Sequence, residues 1–333
     1  MEHKIMKKFI IITSIFYPTE AVIAFSKMQD YQLIVVGDKK TPADWFCKNV
    51  DYISVIEQEE LDFELAKFLP YNHYCRKMLG YLKAIQNGAD YIVDMDDDTI
   101  PKDNWKFPEF ENKFNCITEN KGFINIYQLY TKHKIWARGL PLNLISLQFE
   151  LEKYLKIKDC QVGIWQGLAD EDPDVDAIYR LTSDTPCYFD DREPVVLGKS
   201  TISPFNTQNT IIRKELFPLI YLPTSVTFRF TDILRGLIAQ PIMWLYNYQL
   251  GFINATVIQK RNHHDYMKDF LSEIPMYEHT EKVVELVSSS ISKFESIETN
   301  LHKSYNSLLK ANIVCDKEMR TLEAWLKDLK KLK

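Results

Sequence analysis

The amino-acid sequence predicts an α/β protein, and three stretches carry that prediction. In the front of the chain, apolar runs of strand length alternate with helical segments: residues 9–15, 31–36 and 52–56 read as strands and residues 19–28 as a helix. Strands spaced by helices imply a parallel sheet with crossovers, whose ligands bind beyond the carboxyl ends of the strands. The second stretch is Tyr91-Ile92-Val93, a buried strand that follows the helix stop Asn87-Gly88 and ends in Asp94-Met95-Asp96-Asp97-Asp98. The third lies beyond about Asp269, where Val283, Val284 and Val287, and later Leu322, Trp325, Leu326 and Leu329, recur at helical spacing. That spacing predicts two or three amphipathic helices, packed on the front of the chain or on another subunit.

With 333 residues, 46% of them hydrophobic, the chain can bury a large core. A net charge of -5 supplies no basic footprint, which excludes nucleic acid as an expected partner. The six cysteines show no CxxC or paired spacing, a pattern of reduced thiols in a cytosolic protein. Lys4, Lys7 and Lys8 precede an apolar stretch, but that stretch is short, holds Thr13 and Ser14, and runs into Tyr17-Pro18 without a small-residue cleavage site. No window approaches the roughly 20 apolar residues that span a bilayer. The expectation is a cytoplasmic protein, with the basic end Lys327 to Lys333 leaving room for a peripheral contact at the inner face of a membrane.

Four acids within five residues, at 94–98, repel one another unless a cation sits among them. Hard carboxylate oxygens suit magnesium or manganese, and such an ion takes its remaining ligands from water and substrate phosphates. A nucleotide diphosphate is therefore the expected ligand; the plain alternative is an acidic turn with Asp98 capping the next segment. Thr13-Ser14 and Gly37-Asp38-Lys39-Lys40 close the first two strands, with Gly37 read as a positive-φ turn. Arg76 and Lys77, near the start of a helix over residues 74–86, are placed to contact a diphosphate or else form a solvated face. Arg138, between Trp136 and Gly139, either presents a guanidinium to phosphate or sugar oxygens or stacks on Trp136. The acids of residues 170–176 read as a loop capping a short helix, and the spacing is no EF-hand. Asn206, Gln208 and Asn209 form a carboxamide-rich loop that suits sugar hydroxyls. Asp232, among aromatics, is a candidate base or the partner of Arg229 or Arg235, and of the adjacent His263 and His264 one at most ligates a given ion.

Several segments recur in this order in a known family: Lys40-Thr41-Pro42, Leu69-Pro70-Tyr71, Arg76-Lys77, Asp96-Asp97-Asp98, residues 136–142, Gly167-Leu168-Ala169, residues 172–176, Pro204-Phe205-Asn206 with Gln208-Asn209-Thr210, and residues 225–236. Over residues 9–265 the chain resembles the STELLO-type glycosyltransferase-like domain and, more distantly, the reversibly glycosylated polypeptides that act as UDP-arabinopyranose mutases. The resemblance implies a GT-A fold with a mixed central sheet, here residues 1–268, followed by a helical region over 269–333 through which a homo-oligomer could form. It further implies a DxD motif in which Asp96 contacts ribose or metal and Asp98 holds a manganese or magnesium ion, with His264 as a late ligand. Thr13 and Asp38 would lie near the base, Lys40, Arg76, Asp97, Asn206, Gln208 and Asn209 along the nucleotide sugar, and Asp232 and Arg138 at the reacting centre. The activity implied is metal-dependent transfer of a sugar, from a donor expected to be a UDP-sugar, to a glycan or glycolipid acceptor in polysaccharide biosynthesis. The alternatives are a nucleotide-sugar mutase and a non-catalytic scaffold of the same fold. Leu140 stands where the mutases carry an aromatic, which weighs against the mutase.

Overall fold

In the computed structural model, which describes residues 6–119, 122–260 and 265–333, the chain begins with β1 (Lys8–Thr13), buried along its middle. Helix α1 (Glu20–Phe25) starts where the Thr19 hydroxyl accepts the Val22 N–H, and β2 (Gln32–Val36) then pairs parallel to β1. β3 (Val50–Ile53) adds outside β2 and gives way at once to α2 (Val55–Glu60). The sequence reading carried that strand to residue 56. The chain turns earlier because Ser54 and Glu57 form a capping box, each side chain accepting the other's backbone N–H at the helix start. Helix α3 (Lys77–Gln86) leads to β4 (Tyr91–Asp94), parallel to β1 on its other side.

The sheet then becomes mixed. β5 (Thr99–Pro101), β6 (Glu111–Ile117) and β7 (Gly122–Phe123) precede β8 (Leu155–Glu171), a 17-residue strand that takes in the first of the acids expected in a loop. Asp176 does cap the short helix α4 (Ala177–Thr182), as the spacing of acids predicts. β9 (Val195–Leu197), β10 (Thr201–Ile202), β11 (Thr210–Arg213), α5 (Thr231–Leu245) and β12 (Gln249–Gln259) follow. Ten strands form one sheet in the order β3-β2-β1-β4-β11-β8-β6-β9-β12-β5, and β7 pairs with β10. Because β11 runs antiparallel to β4 with Thr210 opposite Asp94, the residues just before β11 arrive at the carboxyl end of β4.

Three helices close the chain, α6 (Tyr266–Ser290), α7 (Ile297–Lys310) and α8 (Asp316–Leu332). Their apolar faces, including Val283, Val287, Leu301, Leu308, Leu322 and Trp325, share one core with residues of α3 and α5. Two buried carboxylates of α8 also reach into the sheet-bearing part. Asp328 accepts the Glu64 and Leu65 N–H groups at 3.0 and 2.8 Å, and Glu318 accepts those of Thr224 and Ser225 at 2.8 and 2.6 Å. This mixed α/β architecture with C-terminal helices is the one expected from the sequence and is consistent with a GT-A-like fold. Among the described residues, no helix is long and apolar enough to cross a membrane.

Candidate functional site

A cavity of about 320 Å³ lies along the carboxyl edge of the sheet. Its wall is drawn from residues that follow β2 (Asp38, Lys40), β1 (Ser14 to Phe16) and β4 (Asp96 to Asp98), and that precede β11 (Asn206 to Gln208). These strands are consecutive neighbours, so the wall spans three strand spacings, roughly 15 Å. The length of an extended nucleotide sugar is of that order.

At the β2 end, Thr13 and Asp38 both line the cavity. Asp38 accepts the N–H groups of Lys39 (2.7 Å) and His73 (3.2 Å), which holds its carboxylate in place. Gly37 is not in the positive-φ region that a turn would need; it is small because the Tyr52 ring occupies the space a Cβ would fill. Arg76 is 1% exposed, and it donates to Gln58 Oε1 (2.6 Å) and the Leu69 carbonyl (3.2 Å). Its guanidinium also lies 4.1 Å from the Tyr71 ring. Among the described residues neither Arg76 nor Lys40 has a carboxylate within ion-pair distance, and burial pulls the Arg76 pKa down. A buried guanidinium with no carboxylate in direct contact, its nearest acids Asp38 and Glu59 acting only at a distance, is a fitting place for a phosphate.

His73 stacks on Tyr74, and burial pushes its imidazole down to about 4. Its Nδ1 accepts the Cys75 N–H at 3.2 Å, which assigns the ring proton to Nε2. A histidine held neutral by folding contributes stability that is fully present above its unfolded pKa near 6.5 and is lost as pH falls towards about 4. The loss amounts to at most about 3 kcal/mol. His73→Asn is therefore expected to flatten the pH dependence of the urea midpoint between pH 6.5 and 4. An unchanged slope would show that other groups carry it.

In the middle of the wall, Asp94 is fully buried and accepts from Lys77 Nζ (2.8 Å), Arg235 Nη1 (2.7 Å) and the Tyr81 hydroxyl (2.6 Å). Lys77 Nζ reaches on to Asp96 at 3.1 Å. Burial alone would lower the Lys77 pKa, but Asp94 and Asp96 outweigh it and hold the ammonium charged. Asp96 faces the cavity, and burial pushes its carboxyl up to about 6 against the pull of Lys77. Asp97 also lines the cavity, but its carboxylate is taken by the Ser14 hydroxyl at 2.5 Å, and burial raises its pKa. Asp98 lines it as well, and its carbonyl accepts the Lys260 N–H at 3.0 Å. Among the described residues, no three His, Cys, Asp or Glu side chains converge as a closed metal cage.

The β11 end is built on Arg138. Its Nε donates to Asp174 Oδ1 (2.7 Å), Nη1 to Asp232 Oδ1 (3.0 Å) and to the Arg229 carbonyl, and Nη2 to Asp174 Oδ2 and Asp232 Oδ2 (both 2.9 Å). A guanidinium has five N–H donors, and these bonds use them all. Burial works against the charge, but Asp174 and Asp232 together raise the Arg138 pKa; in return Arg138 and Arg229 overcome burial and lower that of Asp174. The sequence expectation of a guanidinium turned towards phosphate or sugar oxygens is thus replaced by an internal clamp on two carboxylates. Nor does Arg138 stack on Trp136, whose indole N–H goes to Asp176 at 2.7 Å. Asp232 takes Arg138 as its partner rather than Arg229, which pairs with Glu273 at 2.8 Å, or Arg235, which pairs with Asp94. The Tyr74 hydroxyl donates to Asp232 Oδ1 at 3.3 Å.

Of the residues singled out in the sequence, Thr13, Asp38, Lys40, Arg76, Asp96, Asp97, Asp98, Arg138, Asn206, Gln208 and Asp232 share this cavity. Asn209 does not: fully buried, it accepts from the Trp105 indole (3.0 Å) and donates to Thr256 Oγ1 (2.9 Å), bracing β8 against β12 from behind. His263 and His264 lie outside the described residues. Ser14, named with Thr13 at the end of the first strand, lines the cavity too; residues not singled out for the site include His73, Tyr74, Asp174, Thr207 and Phe228. The signal for Asp174 was present in the acidic run, but its partner is 36 residues away in the chain.

Comparison with known proteins agrees with the resemblance read from the ordered motifs. Residues 229–333 match the family model described as STELLO glycosyltransferases. The chain is 28% identical over 345 residues to a protein named "Probable glycosyltransferase STELLO1" from Arabidopsis thaliana, an alignment covering 97% of this chain and 44% of that protein. It is likewise 28% identical over 350 residues to "Probable glycosyltransferase STELLO2" from the same organism, with the same coverage. The chain thus spans less than half the length of these curated relatives. The similarity also runs beyond residue 265, where the sequence reading ended it, into the C-terminal helices, whose Glu273 holds the cavity-lining Arg229.

Proposed function

We propose that this chain is a glycosyltransferase that moves a sugar from a nucleotide diphosphate, UDP in the first instance, to a hydroxyl of a glycan or glycolipid acceptor. One observation carries the reading. The cavity wall holds seven carboxylates (Asp38, Asp96, Asp97, Asp98, Asp172, Asp174, Asp232) against four cationic side chains; Asp174 and Asp232 share Arg138, Asp96 meets Lys77, Asp172 meets Arg180 and Arg229 is drawn off by Glu273, so acids still outnumber cations along the wall. So acidic a cleft would repel a diphosphate unless a cation entered with it. By their chemistry Asp96 and Asp98, two hard-oxygen donors that line the cavity, would suit magnesium or manganese, with water and phosphate completing the shell. When bound, the ion would offset charge growing on the leaving diphosphate.

The chain's own residues would do the remainder. Arg76 and Lys40, which among the described residues form no ion pair, would meet the diphosphate from the β2 side. Asp232 is held by Arg138 and Tyr74 with lone-pair capacity left over, and would accept the proton of the incoming hydroxyl. Asp232→Asn is then expected to keep nucleotide binding and to lose transfer by about a hundredfold or more. Equal loss of both would make Asp232 a structural partner of Arg138. The reading as a whole is tested by screening nucleotide sugars for manganese-dependent thermal stabilisation and then assaying the best donor with and without acceptors. A new nucleotide sugar formed without acceptor would identify a mutase instead. No metal-dependent nucleotide binding would leave a scaffold.

A further inference from the structure

We propose that Thr207 and Gln208 read the hydroxyls of a neutral transferred sugar, and that the wall around them disfavours a sugar bearing a carboxylate. This rests on the glycosyltransferase reading and names the substrate class of the same site. The register of β11 against β4 brings residues 206–208 beside Asp96 to Asp98, where the sugar attached to the diphosphate must lie. Thr207 is 4% and Gln208 7% exposed, and both line the cavity. Yet among the described residues neither side chain makes a hydrogen bond.

Looseness does not explain that gap. The Gln208 N–H donates to Asn206 Oδ1 at 2.9 Å, and the Gln208 carbonyl accepts from Gln166 Nε2 at 2.5 Å. Asn206 in turn donates to Asp174 Oδ2 at 2.7 Å, so the loop is fixed from both sides. The polar atoms of both side chains open onto the cavity rather than being sealed off, so a ligand hydroxyl can reach them and supply the partner the protein does not. A carboxamide can donate to one hydroxyl while accepting from its neighbour, and a threonine hydroxyl can do either. Together they suit a diol.

The charge around them decides the class. Asp174 and Asp232 belong to this end of the wall, and all five N–H groups of Arg138 are already spent on them and on the Arg229 carbonyl. Arg229 is paired with Glu273. A uronate carboxylate would meet two acids with no uncommitted guanidinium of Arg138 to receive it.

The test compares sugar pairs differing only at C6, UDP-glucose with UDP-glucuronate and UDP-galactose with UDP-galacturonate, in manganese, with UDP alone as reference. The full chain should bind the better neutral member at least tenfold more tightly than its uronate. Thr207→Val and Gln208→Leu should each weaken that neutral sugar nucleotide about tenfold while leaving UDP binding unchanged, and Thr207→Ser should restore it. Unchanged affinity in both variants, or preference for a uronate, would overturn the inference while UDP binding kept the parent reading standing. Failure of the native chain to bind UDP or any of these sugar nucleotides would remove both.

Discussion

Asp94→Ala is expected to lower the unfolding free energy by about 3–5 kcal/mol, the largest stability loss foreseen for a single substitution in this chain. The carboxylate stands between Lys77 and Arg235, and all three side chains are almost completely buried. Its removal leaves two like charges facing each other without water, and the Tyr81 hydroxyl loses its acceptor. Lys77 keeps Asp96 at 3.1 Å and the Met95 carbonyl at 2.8 Å; Arg235 keeps the Asn206 carbonyl at 2.8 Å. Those contacts limit the damage without restoring the missing charge. Asp94→Asn preserves shape but turns an amide donor towards at least one of three donors, so it should lose more than a typical hydrogen bond of about 1 kcal/mol. Urea unfolding followed by circular dichroism reads both. A loss below about 1 kcal/mol for Asp94→Ala would show that the two cations do not depend on this carboxylate.

That buried node marks the boundary of what was legible in the sequence. The strands β1, β2 and β4 were readable because each is an apolar run closed by polar residues, which is a local signal. The C-terminal helices α6 and α8 were readable for the same reason at a different period, while α7 fell within the count of two or three without a spacing of its own being read. Helix α2 was legible in principle from Ser54 and Glu57, but β-branched Val55 and Ile56 masked the cap by extending the strand pattern. The length of β8 was hidden because Gln166 and Gly167 interrupt its apolar run, although Gly167 serves to make room for Asn209.

Pairing is the part that local reading does not reach. Asp232 sits three residues from both Arg229 and Arg235, and chain proximity nominated those two. The fold instead turns Arg229 to α6 and Arg235 to β4, and brings Arg138 from 94 residues away. The same cause displaced Asn209. A carboxamide in a polar loop resembles a sugar ligand until the sheet closes over it, and then it must satisfy Trp105 and Thr256. Thr207 became informative only in the structure, where it lines the cavity and its side chain makes no hydrogen bond among the described residues.

Asp98→Ala is expected to abolish the manganese-dependent stabilisation by UDP and to reduce transfer and donor hydrolysis at least about a hundredfold, with the fold kept. Three aspartates line the cavity at this point, and they are not equivalent. Asp97 spends its carboxylate on Ser14, which ties the segment after β4 to the segment after β1. Asp96 divides its charge between the cavity and Lys77. Asp97→Ala should therefore act chiefly by loosening the wall, with nucleotide binding weakened about tenfold and metal dependence retained. Asp98→Ala should instead make nucleotide binding indifferent to manganese. The two are separated by titrating UDP against each variant with and without the metal, at matched thermal stability. If the Asp98 variant kept its metal-dependent shift and turned over donor at the native rate, the acidic cluster would be a turn-stabilising feature and the cation would have to bind elsewhere.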